Sequence, residues 1–153
     1  MISRSDPAEC AGFTLLELLI VLALIGLIGV ALLSGGRPTS PSSAARAAAG
    51  ELASALRLAR AEAIAEDRPV GLLLNVASRR YRVGAHPIRT LPGTLQLTLL
   101  TAKGDVRSGT EGRIRFNPDG SSTGGRIDVT GGQRKLSVRV DWLTGRVSLA
   151  DKR

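Results

Sequence analysis

Apolar residues run almost without interruption from Phe13 to Leu33, and Glu17 is the one carboxylate inside that run. As a helix, residues 13–33 would measure about 31 Å, enough to cross a hydrocarbon core of about 30 Å. The pattern breaks over residues 34–42, which are rich in Gly, Pro and Ser; Pro38 and Pro41 each disfavour helix at the residue before them. A second helix is predicted from about Ser43, with a serine cap, to about Asp67. Leu52, Leu56, Ala59 and Ala63 recur at helical spacing and give it one apolar face, while Arg57, Arg60, Glu62 and Glu66 fall on the other sides.

From Pro69 onward the period changes to two. Residues 70–75 and 80–84 predict a hairpin turning at Ala77-Ser78. Further strands are predicted at 95–99, 113–116, 127–129, 136–142 and 147–149, and their alternation turns Tyr81, Phe116 and Trp142 inward. Six or seven short strands after one amphipathic helix predict an α+β domain over residues 43–153, with an antiparallel sheet packed on that helix.

Glu17 changes the picture most. A carboxylate in lipid costs roughly 2.5–3.5 kcal/mol at the bilayer centre and less toward the ends, so such a residue usually has a functional partner. An ordinary secretory signal peptide fits less well, because its apolar core is usually about 7–15 residues long.

The run Gly12-Phe13-Thr14-Leu15-Leu16-Glu17-Leu18-Leu19-Ile20-Val21 resembles the class III signal of type IV pilins and type II secretion pseudopilins. That resemblance implies a prepilin peptidase cut between Gly12 and Phe13, removal of residues 1–12 as a leader, and N-methylation of Phe13. It also implies that Glu17 meets a neighbouring subunit's terminal amine during assembly, a cation that would relieve a carboxylate at the same depth. One departure is visible: such leaders are usually basic, whereas here Arg4 stands against Asp6 and Glu9.

Three further segments resemble the GspH/FimT family of minor pseudopilins and minor pilins. They are Ala59-Arg60-Ala61-Glu62-Ala63-Ile64, Phe116-Asn117-Pro118-Asp119-Gly120-Ser121-Ser122, and Val140-Asp141-Trp142-Leu143-Thr144-Gly145-Arg146-Val147. The last two lie closer to the secretion branch of that family. The resemblance implies a type IV pilin-like fold and a structural subunit of a periplasmic pseudopilus. Implied partners are other major and minor pseudopilins, prepilin peptidase and an inner-membrane assembly platform. The chain would cross the inner membrane once, with its carboxy-terminal domain in the periplasm.

Composition narrows the chemistry. Cys10 is the only cysteine and belongs to the leader, so the mature chain offers no disulfide and no thiolate nucleophile. His86, the only histidine, precedes Pro87 in a predicted loop without a second ligand at metal spacing. Residues 120–125 are glycine-rich but lack the strand–loop–helix setting and the lysine of a phosphate loop. No metal, cofactor or catalytic constellation is expected, and the chain is not expected to be an enzyme.

The net charge of +8 keeps one alternative open. Arg80, Arg82, Arg113 and Arg115 lead a set of outward arginines that could neutralise phosphates if they shared a face, as in a FimT-like minor pilin handling DNA. Aromatic support for stacking is thin, and Gly145-Arg146-Val147-Ser148 lacks the second arginine of the Gly-Arg-x-Arg tail found in DNA-binding relatives. A solvated basic surface is the favoured reading, with nucleic acid not expected as a partner.

Overall fold

A computed structural model describes residues 14–33, 40–101, 106–108 and 110–152. The expected cleavage junction, Gly12 and Phe13, and most of the 34–42 break lie outside the described residues. The chain divides into two units, Met1–Arg37 and Pro38–Arg153.

The first unit contributes helix α1 (Leu15–Leu33). Thr14 starts it: its hydroxyl Oγ1 accepts the Glu17 N–H at 3.2 Å and its carbonyl accepts the Leu18 N–H at 3.2 Å. The first bond satisfies a donor that the first helical turn otherwise leaves open, and the second is the first regular bond of the helix. Among the described residues no helix is long and apolar enough to cross a membrane.

The second unit opens with α2 (Pro41–Ala65). This helix starts two residues before the expected position. Pro41 does not exclude it, because a proline in the first turn lacks only an N–H that would have no partner there. Ser40 caps the helix reciprocally with Ser43, accepting the Ser43 N–H at 3.2 Å while its own N–H reaches the Ser43 hydroxyl at 3.4 Å. The helix ends where Asp67 turns to a positive φ of 48°, just before Pro69.

Among the described residues nine antiparallel strands follow, in two sheets where sequence periodicity predicted one. The first sheet has the order β3 (Arg89–Thr90), β2 (Arg80–Val83), β1 (Val70–Asn75), β6 (Glu111–Phe116), β5 (Val106–Ser108). The second has β4 (Gln96–Thr101), β7 (Gly125–Gly131), β8 (Arg134–Val140), β9 (Val147–Lys152). Strands β3 and β5 were not predicted because two or three residues carry no readable alternation. The sheets meet where Thr101 donates its hydroxyl to the Arg113 carbonyl at 2.8 Å and where Gly125 lies against Leu100 and Ile114.

The core lies between α2 and both sheets. Leu52, Leu56, Ala59 and Ala63 are fully buried, as their spacing predicted, against Leu72, Leu74, Ile114, Phe116, Ile127 and Val138. Six further buried alanines line α2. Small side chains let the backbones of helix and sheet approach closely, and Gly131 shows how closely. A methyl group there would strike the Pro41 carbonyl and stand 2.8 Å from Leu95 and 2.9 Å from Ala45.

This geometry gives one substitution two opposite signs. Gly131→Ala should destabilise the domain by about 1–3 kcal/mol through overpacking. Gly50→Ala, on α2 with nothing within 4 Å of the new methyl, should stabilise it by about 0.5–1 kcal/mol. Denaturant unfolding of the two variants beside the parent checks both.

Candidate assembly and interaction sites

Glu17 is the third residue of α1, within its first turn. Every described side chain from Thr14 to Ile28 is exposed, including Leu15 at 79% and Leu27 at 68%. Such a helix buries no apolar surface of its own and needs lipid or other helices around it.

The three motif segments, one on α2 and two in the carboxy-terminal half, converge on one end of the domain. Arg60 on α2 donates its Nε–H to the Gly120 carbonyl at 3.1 Å. The Arg60 guanidinium also fills the space where a side chain at Gly120 or Gly145 would go; both glycines have positive φ, 83° and 61°. The two turns are further tied by the Ser122 N–H, which donates to the Trp142 carbonyl at 2.8 Å.

Each turn is organised by its own aspartate. Asp119 Oδ1 accepts from the Ser121 N–H at 2.9 Å and the Ser121 hydroxyl at 2.6 Å. Asp141 Oδ1 accepts from the Thr144 N–H and hydroxyl, both at 2.8 Å, and from the Leu143 N–H at 3.1 Å. These donors favour the ionised form and hold both carboxyls below the ordinary value of 3.8, mainly through Ser121 for Asp119 and Thr144 for Asp141. Trp142 was expected to face inward as the last residue of a strand. Instead β8 ends at Val140, the turn begins at Asp141, and Trp142 and Leu143 stand 66% and 63% exposed. Gly124 permits this arrangement, since a methyl there would lie 3.0 Å from the Trp142 Cβ.

The four arginines of the alternative reading do share a surface. On the outer face of the first sheet, Arg82 and Arg113 flank Leu73 from either side, Arg80 stands beside Asn75, and Arg115 beside Gly71. Glu111 shares that face on the other side of Asn75. The Arg113 stem lies across Gly71, where a methyl would meet its Cδ at 2.9 Å, so part of that side chain serves packing. On the second sheet Arg126 pairs with Asp128 and Arg134 with Asp151, each at 3.3 Å.

His86 was expected to be a solvated loop residue. Its Nε2 lies 2.5 Å from Glu62 Oε1 on α2, which ties the loop after β2 to the helix. Nearby, the Tyr81 hydroxyl donates to Glu51 at 2.6 Å, and burial together with that carboxylate pushes the phenol well above its ordinary range. Among the described residues no group of His, Cys, Asp and Glu could hold a metal ion. Sequence reading missed Arg60 as the link between the two turns, because nothing in its spacing distinguishes it from a solvated helix arginine.

The fold and these sites define a pilin-like subunit: one exposed apolar helix with a lone carboxylate in its first turn, and an α+β domain. The profile of the family described as type II transport protein GspH matches residues 48–145, and that of the prokaryotic N-terminal methylation motif matches residues 8–33. The chain belongs to the GspH family. It is 37% identical to type II secretion system protein H of Xanthomonas campestris pv. campestris over 142 residues, 91% of this chain and 82% of that protein. It is 31% identical to competence protein ComGD of Bacillus subtilis over 146 residues, 94% of this chain and 96% of the relative. Among solved structures it is similar to the minor pseudopilin EpsH of Vibrio cholerae, with a TM-score of 0.59, 18% identity, and 74% and 99% of the two chains covered. It also resembles the type IV minor pilin FimU of Pseudomonas aeruginosa, with a TM-score of 0.52, 19% identity, and 69% and 91% covered.

The aspartate turns give a pH prediction with a definite sign. Both carboxyls bind protons less readily folded than unfolded, so their contribution is present above the ordinary carboxylate value and lost as pH falls through the lowered folded values. Stability should therefore decline below about pH 4. Asp119→Asn combined with Asp141→Asn keeps an acceptor at each turn but removes the titration. The slope of stability against pH in that acid range should flatten in the double variant, as urea unfolding at stepped pH will show.

Proposed function

We propose that this chain works as a minor pseudopilin, a structural subunit of the type II secretion pseudopilus that supports protein export across the outer membrane. The reading has the inner membrane hold the N-terminal helix before assembly, with the α+β domain in the periplasm. Prepilin peptidase cuts between Gly12 and Phe13 and methylates the new amine, and the assembly platform then moves the subunit into the fibre beside other pseudopilins. One observation carries this reading. The described side chains of α1 are all exposed and apolar around a single carboxylate, Glu17, on a chain of the GspH family.

The role of Glu17 follows from charge. A freed amine at Phe13 would sit at the positive end of its own helix, where a cation is least favourable. Both that amine and an exposed carboxylate in an apolar setting gain by meeting across a subunit boundary. Membranes from cells expressing the parent chain and Glu17→Val, analysed by intact mass and crosslinking, test it. Both should carry N-methyl-phenylalanine at Phe13 and stay in the membrane, while crosslinks to partner pseudopilins fall at least about tenfold in the variant. Unchanged crosslinks in Glu17→Val would remove the assembly role; a mature terminus near Gly35 would remove the pilin-type processing.

A second reading, DNA handling by a pilus-type subunit, is favoured by the shared face of Arg80, Arg82, Arg113 and Arg115 and by the similarity to a competence protein. Glu111 on the same face weakens it. The secretion reading predicts only non-specific duplex binding that fades by about 150 mM salt. Specific DNA handling would instead persist at that salt, and Arg80→Ala with Arg82→Ala would flatten the log–log salt slope by about two units.

A further inference from the structure

The free edge of the second sheet carries a site that no role above uses. Strand β9 ends the order β4-β7-β8-β9, so one side of it is unpaired among the named strands. The Asp141 N–H donates to the Arg146 carbonyl at 3.0 Å, and β8 and β9 continue in register with Arg139 opposite Ser148. Antiparallel alternation therefore turns the backbone N–H and C=O groups of Val147 and Leu149 away from β8, toward the open edge.

Beside the edge, Ala61 and Ile64 of α2 and Val147 of β9 border a groove of about 630 Å³. Its floor is apolar, with Ile64 47% exposed, and Leu149, further along the edge strand, is 43% exposed. Its rim is cationic: Arg57, Arg60 and Arg146 line it, and among the described residues no carboxylate and no aromatic side chain does. Arg60 is committed to the Gly120 carbonyl, which leaves Arg57 and Arg146, both exposed, to face an occupant. The Asp141 carboxylate of the adjoining turn accepts from the Leu143 and Thr144 donors and also feels the charge of Arg146.

We propose that this groove takes an extended, acidic–aliphatic segment of another subunit, which adds as a strand to β9. An extended chain satisfies the open backbone groups of Val147 and Leu149. Side chains on the α2 side of the added strand then meet the apolar floor, and carboxylates at the rim of the groove meet Arg57 and Arg146. Nucleic acid fits less well, since it offers no strand to pair with β9 and finds no aromatic surface on which to stack. The inference rests on the pseudopilin reading, for it supplies the kind of partner that reading requires.

The test uses the full chain in detergent micelles and three labelled probes: a short peptide alternating glutamate with valine, its lysine–valine counterpart, and a DNA duplex. Fluorescence anisotropy should show binding of the acidic peptide and at least about tenfold weaker binding of the lysine peptide. Arg57→Glu with Arg146→Glu, both at exposed positions, should weaken the acidic peptide by at least about tenfold. Bound peptide should slow amide hydrogen exchange at Val147 and Leu149 in the parent chain. Leu149→Pro removes an outward N–H without breaking the β8 ladder, and should also weaken binding. Equal affinity for both peptides, unchanged exchange at Val147 and Leu149, or duplex binding in preference to the acidic peptide would each overturn the proposal. Failure here alongside Glu17-dependent crosslinks would remove the groove and leave the pseudopilin reading standing. Peptide binding without such crosslinks would do the reverse.

Discussion

Close approach of α2 to the strands is the constraint on which the rest of the domain depends. The face of α2 is mostly alanine, so little of the core volume comes from the helix itself. Leucine, isoleucine and valine from both sheets supply it, together with Phe116, the only phenylalanine of the second unit. A helix this slim can lie against two sheets at once, but only where the strands also thin out, as Gly131 does opposite Pro41 and Ala45. Larger residues on either side would push helix and sheet apart and open voids along the whole contact, because packed interiors transmit strain. The position of Arg60, and hence of both turns, follows from the position of α2.

The turns convert that packing into a fixed surface. Asp119 and Asp141 use their carboxylates on local backbone and hydroxyl donors, a chemistry that rigidifies a loop without help from the core. Arg60 joins them through one carbonyl and the space left by two glycines. Trp142 and Leu143 are consequently held outward on a determined backbone. Exposed apolar side chains on an ordered turn are a mark of contact surfaces rather than of loose chain ends.

Much of this was legible in the sequence where a period repeats. Leu52, Leu56, Ala59 and Ala63 announced the buried face of α2, and the hairpin of β1 and β2 lies where alternation and turn residues placed it. The outward set of Arg80, Arg82, Arg113 and Arg115 followed from the same alternation. Where residues act singly, the sequence was silent. The split into two sheets depends on which strands pair, and strand order leaves no local trace when the connecting segments are irregular. Trp142 continued an alternating pattern that the Asp141 turn had already ended. The His86–Glu62 contact joins residues 24 positions apart and obeys no local rule.

The two units solve burial in opposite ways, and this difference ties structure to function. The second unit closes its core internally, and charge is spread over its outside in partly paired form, as with Arg126 and Asp128 or Arg134 and Asp151. In the first unit each described side chain from Thr14 to Ile28 is exposed, so among the described residues nothing repays the apolar surface that α1 presents. A helix of that kind is at rest only in lipid or among copies of itself, and an all-apolar helix would not distinguish the two. Glu17 does. Lipid penalises its charge and offers no partner, whereas a fibre core can place a neighbour's amine beside it. Under the proposed function, this one carboxylate tilts the helix from the first environment toward the second.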